Sequence, residues 1–168
     1  MNAQVQRTGK DPLYERWRRQ IFIVTWLAYA GFYLTRKSFS VAKIGLGDGT
    51  AIGMSQADLA WIDGAFLVAY AIGQFLWGMA ADRFGTRKVI LIGMFTSVAA
   101  AVAMGLSSIA VAFGIFFFLQ GLAQSSGWAP LSKNLSCFFS RDERGTVMGL
   151  WSTNYALGGL VASIFAGY

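Results

Sequence analysis

Four long stretches of this chain contain no Asp, Glu, Lys or Arg: Gly64–Ala81, Val89–Leu106, Ile109–Leu131 and Thr146–Tyr168. About 18 or more such residues, coiled as helix, reach across the hydrocarbon core of a bilayer. A fifth run, Ile21–Thr35, is shorter but continues past Arg36 and Lys37 to about Leu46. Irregular backbone cannot face lipid, so each run predicts a helix. Composition agrees: 55% of the residues are apolar and 13% charged, more apolar surface than a soluble domain of this size can hide. The expected architecture is an all-α polytopic membrane protein. A basic segment, 1–20, precedes five spans at about 21–46, 57–81, 88–106, 109–133 and 146–168.

The net charge of +6 is explained by topology. Arg7, Lys10, Arg16, Arg18 and Arg19 precede the first span; Arg83, Arg87 and Lys88 lie between the second and third; Lys133, Arg141 and Arg144 follow the fourth. The opposite side holds Lys43 alone, so the N-terminus is expected in the cytoplasm. These cations sit at helix ends and form no single stripe, so nucleic acid is not an expected partner. The basic lead resembles the start of a secretory signal, but the apolar run behind it is too long and lacks a small-residue cleavage pattern. It reads as a retained first helix.

No cofactor is expected: there is no His, Cys137 stands alone as a small apolar filler, and nothing resembles a transition-metal ligand set. Gly45–Met54 reads as the first outer loop. Small residues in the third and fifth spans, among them Gly105, Gly149, Gly158, Gly159 and Ala162, would let helices approach closely. Tyr168 falls inside or at the end of the fifth span, so the chain is expected to be an N-terminal fragment.

Arg36 and Lys37 are the sharpest chemical feature. Arg36 lies roughly 4–5 Å beyond the middle of the first span at 1.5 Å per residue. Placing one such cation there costs at least about 2.5–3.5 kcal/mol, tolerable if it faces a wet cavity and meets an anion. The guanidinium fork matches phosphate oxygens in two-point contact. Tyr29 and Tyr33 share its helix face. The bland alternatives are that both cations snorkel to the outer headgroups, or that Arg36 pairs with Asp63. Asp63 itself could be a counter-ion, a proton site or simply interfacial.

The string GMAADRFGTRK, with Gly78, Asp82, Arg83, Gly85, Arg87 and Lys88, resembles the G-x-x-x-D-R-x-G-x-R-K loop of the major facilitator superfamily. In bare chemical terms Gly78 would permit close packing, Gly85 a tight turn, and Asp82 a contact with a helix N-terminus or a nearby Arg. The resemblance implies five helices of the N-terminal six-helix half of a twelve-helix transporter, whose halves rock about a central site. It makes this loop a gating element.

YLTRKSF, AYAIGQFLWG and LQGLAQSSGWAPLSK resemble, more narrowly, the organophosphate:phosphate antiporters. Of that family's R-G-x5-W-N-x2-H-N-[LIV]-G-G signature, Arg144, Gly145, Trp151, Leu157, Gly158 and Gly159 fit. Ser152, Tyr155 and Ala156 depart from it. Tyr155 replaces a substrate-site His and carries no positive charge near neutral pH. The resemblance implies Arg36 as the main phosphate ligand, with Lys37, Tyr29, Tyr33, Tyr70, Gln74, Gln124, Trp128 and Tyr155 on cavity positions. Gln74 stands where the bacterial transporters have Lys. Tyr70 and Gln124 also read as ordinary bundle residues, Trp128 as an aromatic beside Pro130, and Asn154 equally as a helix-to-helix hydrogen bond or a ligand.

The expected function is exchange of a phosphorylated sugar or polyol for inorganic phosphate in the bacterial inner (plasma) membrane, without enzymatic chemistry. Partners would be the substrates, the lipid bilayer and the missing C-terminal half. Two rivals remain: a transporter-like receptor signalling to a membrane kinase, and an organic-anion carrier with Asp63 coupling protons.

Overall fold

A computed structural model of the chain describes residues 11–47 and 52–167, with the side chain of Ser38 left aside. Arg7, Lys10, Gly49 and Tyr168, which belong to the expected basic lead, outer loop and last span, lie outside the described residues. The described residues are helical, with no strand among them. Helix α1 runs Pro12–Ala42, α2 Gln56–Phe84, α3 Thr86–Gly105, α4 Ala110–Gln124, α5 Trp128–Ser136, α6 Arg141–Trp151 and α7 Thr153–Gly167.

Local chemistry explains the ends. Asp11 caps α1 by accepting from the Leu13 amide at 3.0 Å, ahead of Pro12 in the first turn, where a missing N–H costs nothing. Ser55 with Asp58, and Ser140 with Glu143, form reciprocal capping boxes at the starts of α2 and α6, each satisfying two orphan amides. Gly85 ends α2 and begins α3 with φ +88°, a conformation that favours glycine.

By length and composition, three helices among the described residues can cross a membrane: Gln56–Phe84, Thr86–Gly105 and Ala110–Ser136, the last interrupted by a turn at Ser125–Gly127. Five such helices were expected. Helix α1 is 31 residues long, but Arg36, Lys37 and its charged N-terminal turns dilute its apolar character. The expected fifth span divides at Ser152 into α6, with a charged first turn, and α7, 15 residues long.

Helix α4 lies between α2 and α3, and α1 packs chiefly along α7. Absent side chains permit these crossings. A Cβ at Gly73 would overlap Ser125 Oγ, and one at Gly93 would overlap Ser126 Oγ and lie 2.7 Å from the Ala123 carbonyl. A Cβ at Gly158 would lie 3.0 Å from Ala30 Cα. Gly105 and Gly149 meet nothing within 4 Å, so the expected close approach holds at Gly158 and not at those two. One apolar cluster gathers around Phe39, Phe66 and Phe117, a second around Tyr29, Leu135 and Trp151. Trp61, Phe75, Phe95 and Phe165 point outward and are mostly exposed, an apolar surface that suits lipid and would aggregate in water.

Candidate functional site

Arg36 projects from α1 into a box built by three helices. Its Cζ lies 4.8 Å from the Tyr33 ring centroid, 5.0 Å from Tyr70 and 5.5 Å from Phe66. Such faces attract a cation, each by about 0.5–2 kcal/mol depending on desolvation, without neutralising it. Arg36 Nε donates to Gln124 Oε1 at 2.7 Å, and Nη1 makes a long 3.5 Å contact with the Tyr33 hydroxyl. Nη2 is buried and has no hydrogen-bond partner. No carboxylate among the described residues forms an ion pair with Arg36. Asp63, the alternative partner, pairs with Lys43 instead, beside the end of α1.

Gln124 is fully buried. Its amide nitrogen donates to Thr35 Oγ1 at 3.0 Å and Ser97 Oγ at 3.1 Å, and those two hydroxyls lie 2.9 Å apart. One turn earlier, Gln120 Nε2 donates to the Thr35 carbonyl at 3.0 Å. Tyr29 and Tyr70 join their hydroxyls at 3.3 Å. Trp128 packs against Tyr29 and Trp151, with centroids 5.5 and 5.4 Å apart.

The structure therefore gathers Arg36, Tyr33, Tyr70, Gln124 and Tyr29 into one cluster, and sets Trp128 behind Tyr29. Lys37 is half-buried on the α7 side, its Cε 3.9 Å from a Cβ built at Gly159. Neither Gln74, half-buried one turn beyond Tyr70, nor Tyr155, exposed on α7, hydrogen-bonds to Arg36. Asn154 is buried, with both amide atoms lacking a hydrogen-bond partner among the described residues, so the helix-to-helix bond, one of its two expected readings, is not made there. Sequence reasoning overlooked Phe66 and Ser97. Phe66 stands four residues before Tyr70, on the same helix face, which was the available signal.

In the G-x-x-x-D-R-x-G-x-R-K loop, Asp82 pairs with Lys133 of α5, both exposed. The partner is neither of those foreseen, a helix N-terminus or an Arg. Exposed pairs contribute little to stability. Arg83 lies over the neighbouring Phe84 ring at 5.4 Å, and Arg87 and Lys88 are exposed. Gly78 meets nothing within 4 Å, so its expected close packing does not occur within this chain.

A second arginine is bound very differently. Arg18 reaches Glu15 at 2.6 Å and Glu143 of α6 at 2.8 Å, and lies 4.4 Å from the Phe139 ring centroid. The hydrogen bond from Arg18, then those from the Ser140 backbone and hydroxyl, hold the Glu143 carboxyl down at about 2. Its bond with Glu143 in turn raises the Arg18 pKa.

The family profile described as Major Facilitator Superfamily matches residues 21–168. A probable hexose phosphate transport protein of Chlamydia trachomatis is 33% identical over 92% of this chain and 33% of its own length. The glycerol-3-phosphate transporter of Bacillus subtilis is 34% identical over 89% of this chain and 34% of its own. The membrane sensor protein UhpC of Escherichia coli is 33% identical over 92% and 35%. The chain belongs to the Major Facilitator Superfamily. It is an integral membrane chain, and it spans about a third of the length of the curated relatives it matches. No solved structure matches it.

Proposed function

We propose that this chain supplies most of the N-terminal half of a twelve-helix carrier that exchanges a phosphorylated sugar or polyol for inorganic phosphate. The observation that carries the reading is Arg36: a guanidinium inside an apolar bundle, with no carboxylate partner and with Nη2 unpaired. An uncompensated cation at that depth is costly, and an incoming phosphate monoester would remove the cost. The relatives' names supply the substrate class. Lys37, Tyr29, Tyr33 and Tyr70 would line the anion's side of the cavity, and Gln74, Trp128 and Tyr155 its outer walls.

A second basic residue in the C-terminal half would complete the clamp. Binding would lower the barrier between inward-open and outward-open states, and exchange follows because the empty, cation-lined carrier interconverts poorly. No covalent step is needed, so no enzyme activity is assigned. The N-terminus and the Gly78–Lys88 loop would face the cytoplasm, with that loop latching the two halves; α1 and the α6–α7 pair would complete the five spans; and a bacterial inner membrane fits the relatives quoted.

The test is counterflow of labelled phosphate in liposomes holding the intact carrier. Arg36→Lys keeps a charge and loses the fork, so exchange should be lost while membrane insertion persists. Near-normal exchange would sink the assignment. Binding without flux in the unaltered protein would favour the sensor reading that the Escherichia coli relative's name carries.

A further inference from the structure

An arginine can take an oxyanion by either of two edges: side-on, through Nε and one terminal nitrogen, or end-on, through both terminal nitrogens. In this chain the side-on edge is taken. Arg36 Nε donates to Gln124 Oε1 at 2.7 Å. Because guanidinium has only donors, the amide must present its oxygen to Arg36 and its nitrogen away. That nitrogen meets Thr35 Oγ1 and Ser97 Oγ at 3.0 and 3.1 Å. Turning the amide over would set N–H against N–H at Arg36, and swinging it out would strip three buried hydrogen bonds at once. Gln124 has no exposed surface through which to reach a substrate directly. The terminal edge is unpaired: Nη2 is buried with no partner, and Nη1 has only the 3.5 Å contact with Tyr33.

We infer that Gln124 is a positioning residue, held by Ser97 and Thr35, that occupies the Nε edge of Arg36 and so presents Nη1 and Nη2 to the anion end-on. This replaces the expected role of Gln124 as a direct ligand, and it rests on the proposed reading of Arg36 as the phosphate-binding residue. Three helices meet at this amide: α1 through Arg36 and Thr35, α3 through Ser97, and α4 through Gln124 itself.

The experiment measures the dissociation constant of inorganic phosphate for the intact carrier, with melting midpoint as the folding control. Gln124→Leu should weaken phosphate binding by roughly 10- to 100-fold, the usual effect of losing a buried hydrogen bond to a charged group. Gln124→Glu, which keeps the shape but sets a carboxylate against Arg36, should weaken it at least as much and serves where the Leu variant fails to fold. The deciding measurement is the double variant Arg36→Lys with Gln124→Leu. If Gln124 acts only through Arg36, the double variant binds no worse than Arg36→Lys alone. Additive losses would assign Gln124 a separate role and overturn the inference. So would normal binding by both Gln124 variants while Arg36→Lys fails, a result that leaves the phosphate reading of Arg36 intact. Normal binding by Arg36→Lys would instead remove that reading. A structure with phosphate lying across Nε, the Gln124 amide displaced, would also overturn the end-on geometry.

Discussion

Arg18 and Arg36 stand on one face of the same helix, about five turns apart, and their surroundings are opposites. Arg18 sits at the helix start between two carboxylates. Arg36 sits among aromatic rings and one neutral amide, with a terminal nitrogen unpaired. The residue three places earlier marks the difference: Glu15 ahead of Arg18, Tyr33 ahead of Arg36. A carboxylate at that spacing makes a cation structural, by neutralising it permanently. A phenol steers the cation and leaves its charge available. The cost of an unneutralised charge is thus concentrated at one point of α1.

The largest expected effect comes from erasing that difference. Tyr33→Glu gives Arg36 the carboxylate that Arg18 has, at the same spacing, and should reduce phosphate exchange by roughly 100-fold or more through an internal ion pair. Exchange near the unaltered rate would mean that the charge of Arg36 is not what the carrier uses. Next, Phe66→Leu keeps an apolar side chain and removes a ring face. Phosphate affinity should fall by about 5- to 30-fold, within the range of a desolvated cation–π contact, as read by titration with labelled phosphate. Tyr70→Phe keeps the ring and loses the hydroxyl that meets Tyr29. A change of at most about 5-fold is expected, the scale of one neutral hydrogen bond.

The smallest effect on transport should come from the Arg18 end. Glu143→Gln should leave exchange within about 2-fold, since its partner Arg18 lies about five turns of α1 away from Arg36. It should, however, alter the pH dependence of melting. The Glu143 carboxyl is held at about 2 against an ordinary 4.5. Its stabilising contribution is therefore complete above the ordinary value and is lost as pH falls toward the folded one. The melting midpoint of the unaltered protein should decline more steeply below about pH 4 than that of Glu143→Gln. Parallel curves would show that the tie adds no stability.

The helices were legible because lipid demands unbroken apolar runs, and charged residues mark where those runs end. Much of the Arg36 cluster was legible too, because a cation in an apolar run stands out, as do Tyr and Gln at helical spacing from it. What lies beyond that carries a weaker label. Phe66 is one of three Phe in α2, marked only by its spacing from Tyr70, and the fold sets its ring beside Arg36. The break at Ser125–Gly127 lies inside an uncharged run, where hydropathy carries no information about continuity. Asp63 could by sequence pair with Arg36, yet the end of α1 brings Lys43 alongside the start of α2, and the nearer cation takes it. The amide orientation of Gln124 depends on three helices at once, so no local stretch of sequence encodes it.

The Gln124–Arg36 bond also has a consequence for biosynthesis. Arg36 is made early, but its aromatic neighbours Phe66 and Tyr70 come with α2, and its amide acceptor comes only at the end of α4. A ribosome adding about 5–20 residues per second leaves this cation without that acceptor for several seconds while residues 37–124 are made. Arg36 Nε gains its acceptor only after the fourth helix has arrived. Arg36 is thus translated well before the amide that occupies its Nε edge.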